Sequence, residues 1–477
     1  MSTKIESHNR LMYIAVSILF VAIGAAARIR GAQNDLWLDE IWSLNLTRLI
    51  SGPLGVFTQI HHDNNNYLNT LWLYYVGTGH PDLIYRIPSI IAGSATIILA
   101  GLIGKERDHA TAVFAMALTA MSYVLVLYSC EARGYAEIVF FSFLSFYLLD
   151  RYLKDRRPTT ALLFSVTAMF GILSHLIFLN FYFAALVWSI ICLLRSEGNR
   201  TQILLRTILC HALPFALLTT IYLVDLRHLH QGGGTTLSLT HALGDCLAWS
   251  VTPPPLRWMR PVTSVVTIAV FVGGMLLLWR ERSNTTILFL GVIVVMPVAL
   301  AIISRMQWIY ARHFIIGVAF LLLLLSFQLG KVWNNTRWGK TLSIAGLLVY
   351  CAANGPPMAA LFNNGYGHYR EAMRYIIEHT HKPDITIGSD HDFRFPTVLN
   401  FYAREIFGDK PAKYYLRDAW PPEGPEWALL HKESFDDPIP PLASFVDGAG
   451  NHYDLEKTFP AAPLSGLHWF LYQQHPN

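Results

Sequence analysis

The sequence predicts an α-helical polytopic membrane protein of about 11 transmembrane helices, followed by a small C-terminal α/β extramembrane domain. Three observations carry that prediction. Of 477 residues, 53% are hydrophobic and 14% charged, with a mean hydropathy of +0.36, against roughly 25% charged residues in a soluble globular chain. Apolar runs close to the roughly 20 residues that cross a hydrocarbon core recur from Leu11 to Pro356. The short connections on one face of those runs are basic, as cytoplasmic loops are.

Each element follows in chain order. Lys4 and Arg10 precede an apolar run from Leu11 to Ala27. The run has the look of a signal peptide but is long and is followed by further hydrophobic segments, so it reads as a retained first transmembrane helix. The expected spans are Leu11–Ile29, Leu83–Ile103, His109–Tyr128, Gly134–Tyr152, Thr159–Ser174, Leu176–Leu194, Leu205–Leu226, Val262–Trp279, Thr285–Ile303, Tyr310–Leu329 and Thr341–Pro356. With the N-terminus inside, the inner connections hold Lys105 and Arg107, then Arg151, Lys154, Arg156 and Arg157, then Arg195, Arg200 and Arg206, then Arg280 and Arg282, then Lys331, Arg337 and Lys340. An odd number of spans places the C-terminus outside. The expected setting is an integral plasma (inner) membrane protein with a cytoplasmic N-terminus and a periplasmic C-terminal domain.

Residues 1–356 thus form a transmembrane domain with two long outer loops, 30–82 and 227–261, and residues 357–477 an outer-face domain. In the first loop, Leu46–Phe57 and Tyr67–Val76 read as interfacial helices with Trp37, Trp42, Trp72, Tyr74 and Tyr75 as aromatic anchors. The second, Arg227–Pro261, has Gly232-Gly233-Gly234 near its start and Pro253-Pro254-Pro255 near its end, a flexible stretch before a stiff one, and reads as a lid. Beyond Pro357, Asp384–Gly388 reads as a short buried strand and Arg370–His379 as a helix.

A net charge of +4 without a basic run is too small to suggest nucleic acid, and no nucleic-acid partner is expected. The five cysteines lie far apart without Cys-x-x-Cys spacing, which argues against a zinc site and a disulfide framework.

The chain is organised around Leu36-Trp37-Leu38-Asp39-Glu40-Ile41-Trp42, an acidic pair among apolar residues just beyond the first span. Two adjacent carboxylates at a membrane face are costly to keep ionised without a partner, a metal or water. The pair reads either as a catalytic base or metal ligand, or as the acidic first turn of a helix. Other ionisable groups fall at the same face: His61-His62-Asp63 before three asparagines, Arg86, Glu131 and Arg133, Arg305, and Tyr310-Ala311-Arg312-His313. Carboxylates, histidines and arginines on one face suit an anionic lipid-linked substrate, because arginine forks bind phosphate oxygens bidentately and a carboxylate takes a proton. Each also has a plainer reading. Glu131 and Arg133 pair with each other, Arg86 snorkels to the interface, the His61–Asn66 segment is a solvated turn, and His175 is a capping residue.

In order and spacing these stretches resemble the glycosyltransferase C superfamily of polytopic enzymes that use polyprenyl-phosphate sugars. The likeness is to the branch containing protein O-mannosyltransferases and the lipid A aminoarabinose transferase. It rests on Asp39-Glu40 after the first span, the His61–Trp72 loop, Arg86-Ile87-Pro88-Ser89 followed by Gly93, Ser129–Tyr135 before the fourth span, and Tyr310–Phe314. It is good over residues 10–160 and around 305–330 and weak elsewhere. The His61–Asn66 segment departs from the His…Pro-Pro pattern expected there, which bears on the acceptor and subfamily. The resemblance implies a GT-C type fold and inverting transfer of a sugar from a polyprenyl-phosphate donor to an acceptor hydroxyl on the outer face, the acceptor being a glycan, lipid or protein. It makes Asp39, with Glu40, the catalytic pair and Arg133, Arg312 and Arg86 the donor-phosphate ligands. It places His61, His62, Asp63, Glu131, Tyr135 and Tyr310 in the substrate and acceptor region, and leaves room for a divalent cation, Mg or Mn, at Glu40 and His61. The residues without the family equally describe a lipid or lipid-linked-sugar flippase, or a glycan ligase or polymerase. Against a transporter, the charges gather at one face rather than at the bilayer midplane.

Overall fold

The computed structural model describes residues 2–475 except 197–198, 231, 233–237, 304–308, 336, 381, 407–411 and 434–440. The chain divides into two compact units. One comprises Met1–Arg30, Thr47–His80 and Ile84–Pro356; the other comprises Gly31–Leu46, Pro81–Leu83 and Pro357–Asn477.

The first unit is helical. Among the described residues eight helices are long and apolar enough to cross a membrane: Tyr13–Gly31, Ile87–Lys105, Leu176–Leu194, Arg200–His228, Arg257–Arg280, Thr286–Ile303, Ala311–Asn335 and one within Gly339–His379. The expected count of about 11 is not confirmed. His109–Met121 and Pro158–Ser174 are apolar but short, and Tyr135–Asp155 carries Glu137, Asp150, Arg151 and Lys154 along its length.

The helices sort by what their faces meet. The Ile315–Asn335 helix is buried nearly all round, from Ile315 through Leu324, as a helix at the centre of a bundle must be. On Arg260–Arg280, by contrast, Val262, Val265, Ile268, Val272, Leu276 and Trp279 are exposed. Their spacing of three and four residues makes one apolar stripe, the pattern of a lipid-facing helix. The expected His109–Tyr128 span is broken at Ser122, whose backbone is extended and whose side chain caps Tyr123–Leu127. Buried Asn354 makes the break tolerable: its Oδ1 accepts from Tyr123 N at 2.8 Å and its Nδ2 donates to Val251 O at 3.1 Å, so the freed N–H is not left unpaired in an apolar setting. Tyr67–Val76 is a helix, as read. Leu46–Phe57 is not. It comprises the end of a helix, a 3₁₀ turn at Thr47–Leu49 and a single turn at Gly55–Thr58, because Gly52-Pro53 interrupts the run.

The second unit is a six-stranded mixed sheet with helices. Its strands are β1 (Ile385–Ser389), β2 (Ala412–Tyr415), β3 (Trp427–Glu433), β4 (Ser444–Val446), β5 (His452–Phe459) and β6 (Leu467–Gln474), in the order β2-β1-β3-β6-β5-β4. β1 runs parallel to β2 and β3, and the remaining pairings are antiparallel. The small α/β domain expected at the C-terminus is therefore present, with its strand and its Tyr369–His379 helix where the pattern put them. The unit also includes residues 31–46 and 81–83. Arg370 ties these segments in: Nη1 bonds Asp35 at 2.7 Å and also Asp82, and Nε bonds Glu405 at 2.9 Å. Tyr402 adds a hydrogen bond from its hydroxyl to Leu36 O at 2.9 Å.

Candidate functional site

In the helical unit the stretch Tyr128–Glu137 is wholly buried between two helices. Buried loop backbone needs partners, and side chains from other elements supply them. Asn69 Nδ2 donates to Ala132 O at 2.6 Å, Ser89 Oγ to Arg133 O at 3.0 Å, and Cys130 Sγ to Arg28 O at 3.3 Å. Gly134 is required by close approach. A Cβ there would stand 2.0 Å from Ser174 O and 3.3 Å from His175 Cβ, so a side chain would part the start of the Tyr135–Asp155 helix from the turn at His175.

That packing sets a basic cluster. The Arg133 guanidinium lies 5.5 Å from the centre of the Tyr135 ring, and that of Arg312 lies 5.9 Å from the same ring and 4.8 Å from the ring of Tyr310. Aromatic faces attract cations, and here one ring serves two. The His175 ring lies 4.9 Å from that of Tyr135, tilted 34° to it. Desolvation first, then the charges on Arg133, His313 and Arg312, holds it well below the ordinary histidine value, so it stays neutral. Its Nδ1 accepts from Ile177 N at 3.1 Å, which makes it the cap it was read as. The Arg312-His313 start also caps itself, His313 Nδ1 accepting from Tyr310 N at 3.1 Å. Arg86 does not snorkel: it is fully buried at the N-terminal end of Ile87–Lys105, ahead of Pro88.

The His61–Tyr67 segment adjoins the cluster. Asn64 Oδ1 accepts from Arg133 Nη1. Asp63 Oδ1 lies 2.9 Å from His62 Nδ1 and accepts from Gly232 N at 3.1 Å. Desolvation raises the Asp63 pKa, but those contacts and the charges of His62 and Arg133 outweigh it, and the carboxyl sits below its ordinary value. His61 Nδ1 meets Asp225 Oδ1 at 2.6 Å, and the Tyr67 hydroxyl donates to Asp225 Oδ2 at 2.5 Å. Asp225 is buried at the C-terminal end of Arg200–Val224. A two-residue parallel bridge, with His230 N on His61 O at 2.8 Å and Asp63 N on His230 O at 3.2 Å, ties the two loops together. Glu131 is buried within the same stretch as Arg133, and its charge, like that of Arg312, acts on Tyr128. So the helical unit assembles Asp63, Arg133, Tyr135, Tyr310 and Arg312, with His61 and His62 alongside and Glu131 in the same buried loop.

Asp39 and Glu40 belong to the other unit. They open the Leu38–Leu46 helix, where carboxylates favour the N-terminal dipole. Glu40 is buried, and its Oε2 accepts from Trp37 N at 3.0 Å, closing the first turn. Asp39 is partly buried. This helix packs on Arg394–Ile406, with the Trp42 and Phe393 rings 4.8 Å apart. Among the described residues no three of His, Cys, Asp and Glu gather as ligands for a cation. Arg305 lies outside the described residues.

Asp225, Asn64 and Asn69 are not among the site residues that the sequence offers. Asp225 left a faint signal, a carboxylate closing a long apolar run. Nothing in sequence joined it to His61, 164 positions away.

No protein-family profile and no curated protein matches the chain. Solved structures do. Archaeal oligosaccharyltransferase AglB from Archaeoglobus fulgidus, in complex with an inhibitory peptide and a dolichol-phosphate, is 14% identical at a TM-score of 0.46 over 83% of this chain. The chain spans 64% of that protein's length. ArnT from Cupriavidus metallidurans bound to undecaprenyl phosphate gives 10% identity and a TM-score of 0.48, covering 95% of this chain and 97% of that one. Apo ArnT from the same organism reaches 0.54 at 10% identity, again covering 95% of this chain and 97% of that one. At these identities the likeness is one of fold: the chain has the fold of ArnT.

Proposed function

We propose that the protein is a membrane glycosyltransferase that moves a sugar from a polyprenyl-phosphate donor to an acceptor hydroxyl on the periplasmic face, with inversion. The observation that carries this reading is that the Arg133 and Arg312 guanidiniums both lie against the Tyr135 ring, 5.5 and 5.9 Å from its centre, with the His175 ring against the same tyrosine and Asn64 bound to Arg133. Two guanidiniums brought to one ring concentrate positive charge, and a phosphate is the ligand that concentrates negative charge in the same geometry.

In the reaction, Arg133 and Arg312 bind the donor phosphate and neutralise the charge that grows on it as the bond to the sugar breaks. Preorganised cations of this kind supply on the order of several kcal/mol of transition-state stabilisation. Asp39 removes the acceptor proton, contributing roughly 10²–10⁴ in rate, and Glu40 holds the turn that carries it. Asp63, Tyr310 and Tyr135 border the phosphate ligands, and Glu131 and Arg86 are buried in the same unit.

The test is transfer of radiolabel from a panel of undecaprenyl-phosphate-linked hexoses and pentoses by purified protein, beside Asp39→Asn. Label reaching an acceptor or water with wild type and not with the variant supports both donor class and base. Equal transfer by both moves the base elsewhere. Tight binding of undecaprenyl phosphate without any transfer replaces the reading by a flippase.

A further inference from the structure

We infer that His61, held by Asp225, is the general acid that protonates the departing phosphate. The inference rests on the glycosyltransferase reading above and adds a residue to that site. Three features of the helical unit carry it.

First, His61 is tethered at one nitrogen only. Nδ1 is fixed on Asp225 Oδ1 at 2.6 Å, and among the described residues Nε2 makes no hydrogen bond, while the ring is 27% exposed. Second, the carboxylate behind it is built to carry charge. Asp225 is 2% exposed, and its second oxygen is occupied by the Tyr67 hydroxyl. Burial and the adjacent Asp225 carboxylate push Tyr67 far above the ordinary phenol value, so it remains a donor. A buried carboxylate oriented on one ring nitrogen sets the tautomer and presents the other nitrogen for proton transfer. Third, His61 stands three residues from Asn64, which is bound by Arg133. The imidazole is thereby on the same short segment as a partner of the proposed phosphate ligand.

The other charged and titratable groups facing it are few. The His228 ring lies 5.5 Å away and takes a hydrogen bond from Arg227 Nε at 2.9 Å; His62 and Asp63 follow in sequence, and Arg133 lies beyond Asn64. None of these occupies Nε2.

The step balances without an added reactant. The bond between the anomeric carbon and the phosphate oxygen breaks, and its electron pair goes to that oxygen. The oxygen takes the Nε2 proton, leaving a polyprenyl phosphate monoanion and a neutral imidazole still bonded to Asp225. The acceptor oxygen forms the new bond to the anomeric carbon and gives its proton to Asp39. Solvent then returns a proton to His61 and takes one from Asp39, so the turnover consumes none.

The test uses the full-length purified protein, with undecaprenyl-phosphate-linked sugars as donors and undecaprenyl phosphate binding followed by tryptophan fluorescence. His61→Gln is expected to bind the lipid within about 3-fold of wild type and to transfer roughly 10²–10³ more slowly. Wild type loses rate as pH rises, because the acid must be protonated; His61→Gln has no such limb. Asp225→Asn, which leaves the imidazole a neutral partner in place of a carboxylate, is expected to slow transfer while still binding the lipid. Wild-type rate in His61→Gln, or a slow variant that retains the limb, overturns the inference, as does wild-type rate in Asp225→Asn. If His61→Gln loses lipid binding, His61→Ala with added imidazole decides: restored transfer supports the acid, and no restoration overturns it. A wild type that binds undecaprenyl phosphate but releases no sugar from any donor overturns the glycosyltransferase reading itself, a different result from a working enzyme indifferent to His61.

Discussion

Arg370 is the point at which a single side chain should decouple the acidic stretch from the sheet unit. Its guanidinium serves Asp35, Asp82 and Glu405, and its own N–H bonds Asp35 Oδ2 at 2.8 Å. Each of the three noncontiguous segments that make up the unit contributes to this one contact. Arg370→Ala leaves Asp35 and Asp82, 15% and 11% exposed, without their cation. Removing one partner of a buried pair costs about 3–5 kcal/mol. Glu405 is 47% exposed and Arg370 itself 23%, so solvent recovers part of that, and about 2–3 kcal/mol is the expected loss. It should be local: residues 31–46, with Asp39 and Glu40, should exchange amide hydrogens roughly 30–150-fold faster, which is the same energy at 1.4 kcal/mol per tenfold. Arg370→Lys should recover little, because an ammonium cannot present a fork to three carboxylates. Hydrogen exchange read by mass spectrometry on purified protein is the assay. Unchanged protection of residues 31–46 in Arg370→Ala would refute the reasoning.

Two further outcomes follow from other contacts. Gly134→Ala puts a methyl 2.0 Å from the Ser174 carbonyl oxygen; since backbone cannot yield like a side chain, a loss of about 1–3 kcal/mol is expected, seen as a lower melting temperature together with weaker undecaprenyl phosphate binding through displaced Arg133 and Tyr135. In the sheet unit, desolvation raises Asp390, but its bonds to the His431 ring and to His431 N, the latter at 3.0 Å, outweigh it and hold the carboxyl below its ordinary value. A carboxyl depressed on folding stabilises above its unfolded pKa of ~4 and loses that contribution as pH falls through the folded value. Thermal melts of wild type from pH 6 downward should therefore decline more steeply than those of Asp390→Asn, and parallel curves would count against the pair.

Some of this protein was legible in the amino-acid order alone. Composition and runs of about 20 apolar residues suffice for a polytopic helical chain, because hydrocarbon forces each span to satisfy its own backbone. The change to polar, Pro-rich sequence after Pro357 marked the sheet domain, and the isolated charges Asp39, Glu40, Arg133 and Arg312 stood out because charge is costly at a membrane face. Local signals such as His175 and Tyr67–Val76 were equally readable, since caps and short helices are decided within a few residues.

What tertiary structure decided are matters of long-range pairing. That Arg133 and Arg312 both approach the Tyr135 ring, that Asp225 holds His61, and that Asn354 repairs the helix break at Ser122 all join residues from segments far apart in the chain. That residues 31–46 gather with the sheet unit rests on contacts with residues more than 300 positions downstream, Arg370 and Tyr402 among them. Hydropathy is additive along the chain and survives inspection one window at a time. A hydrogen bond between distant residues exists only once the helices are packed, and carries no periodicity that a single sequence displays.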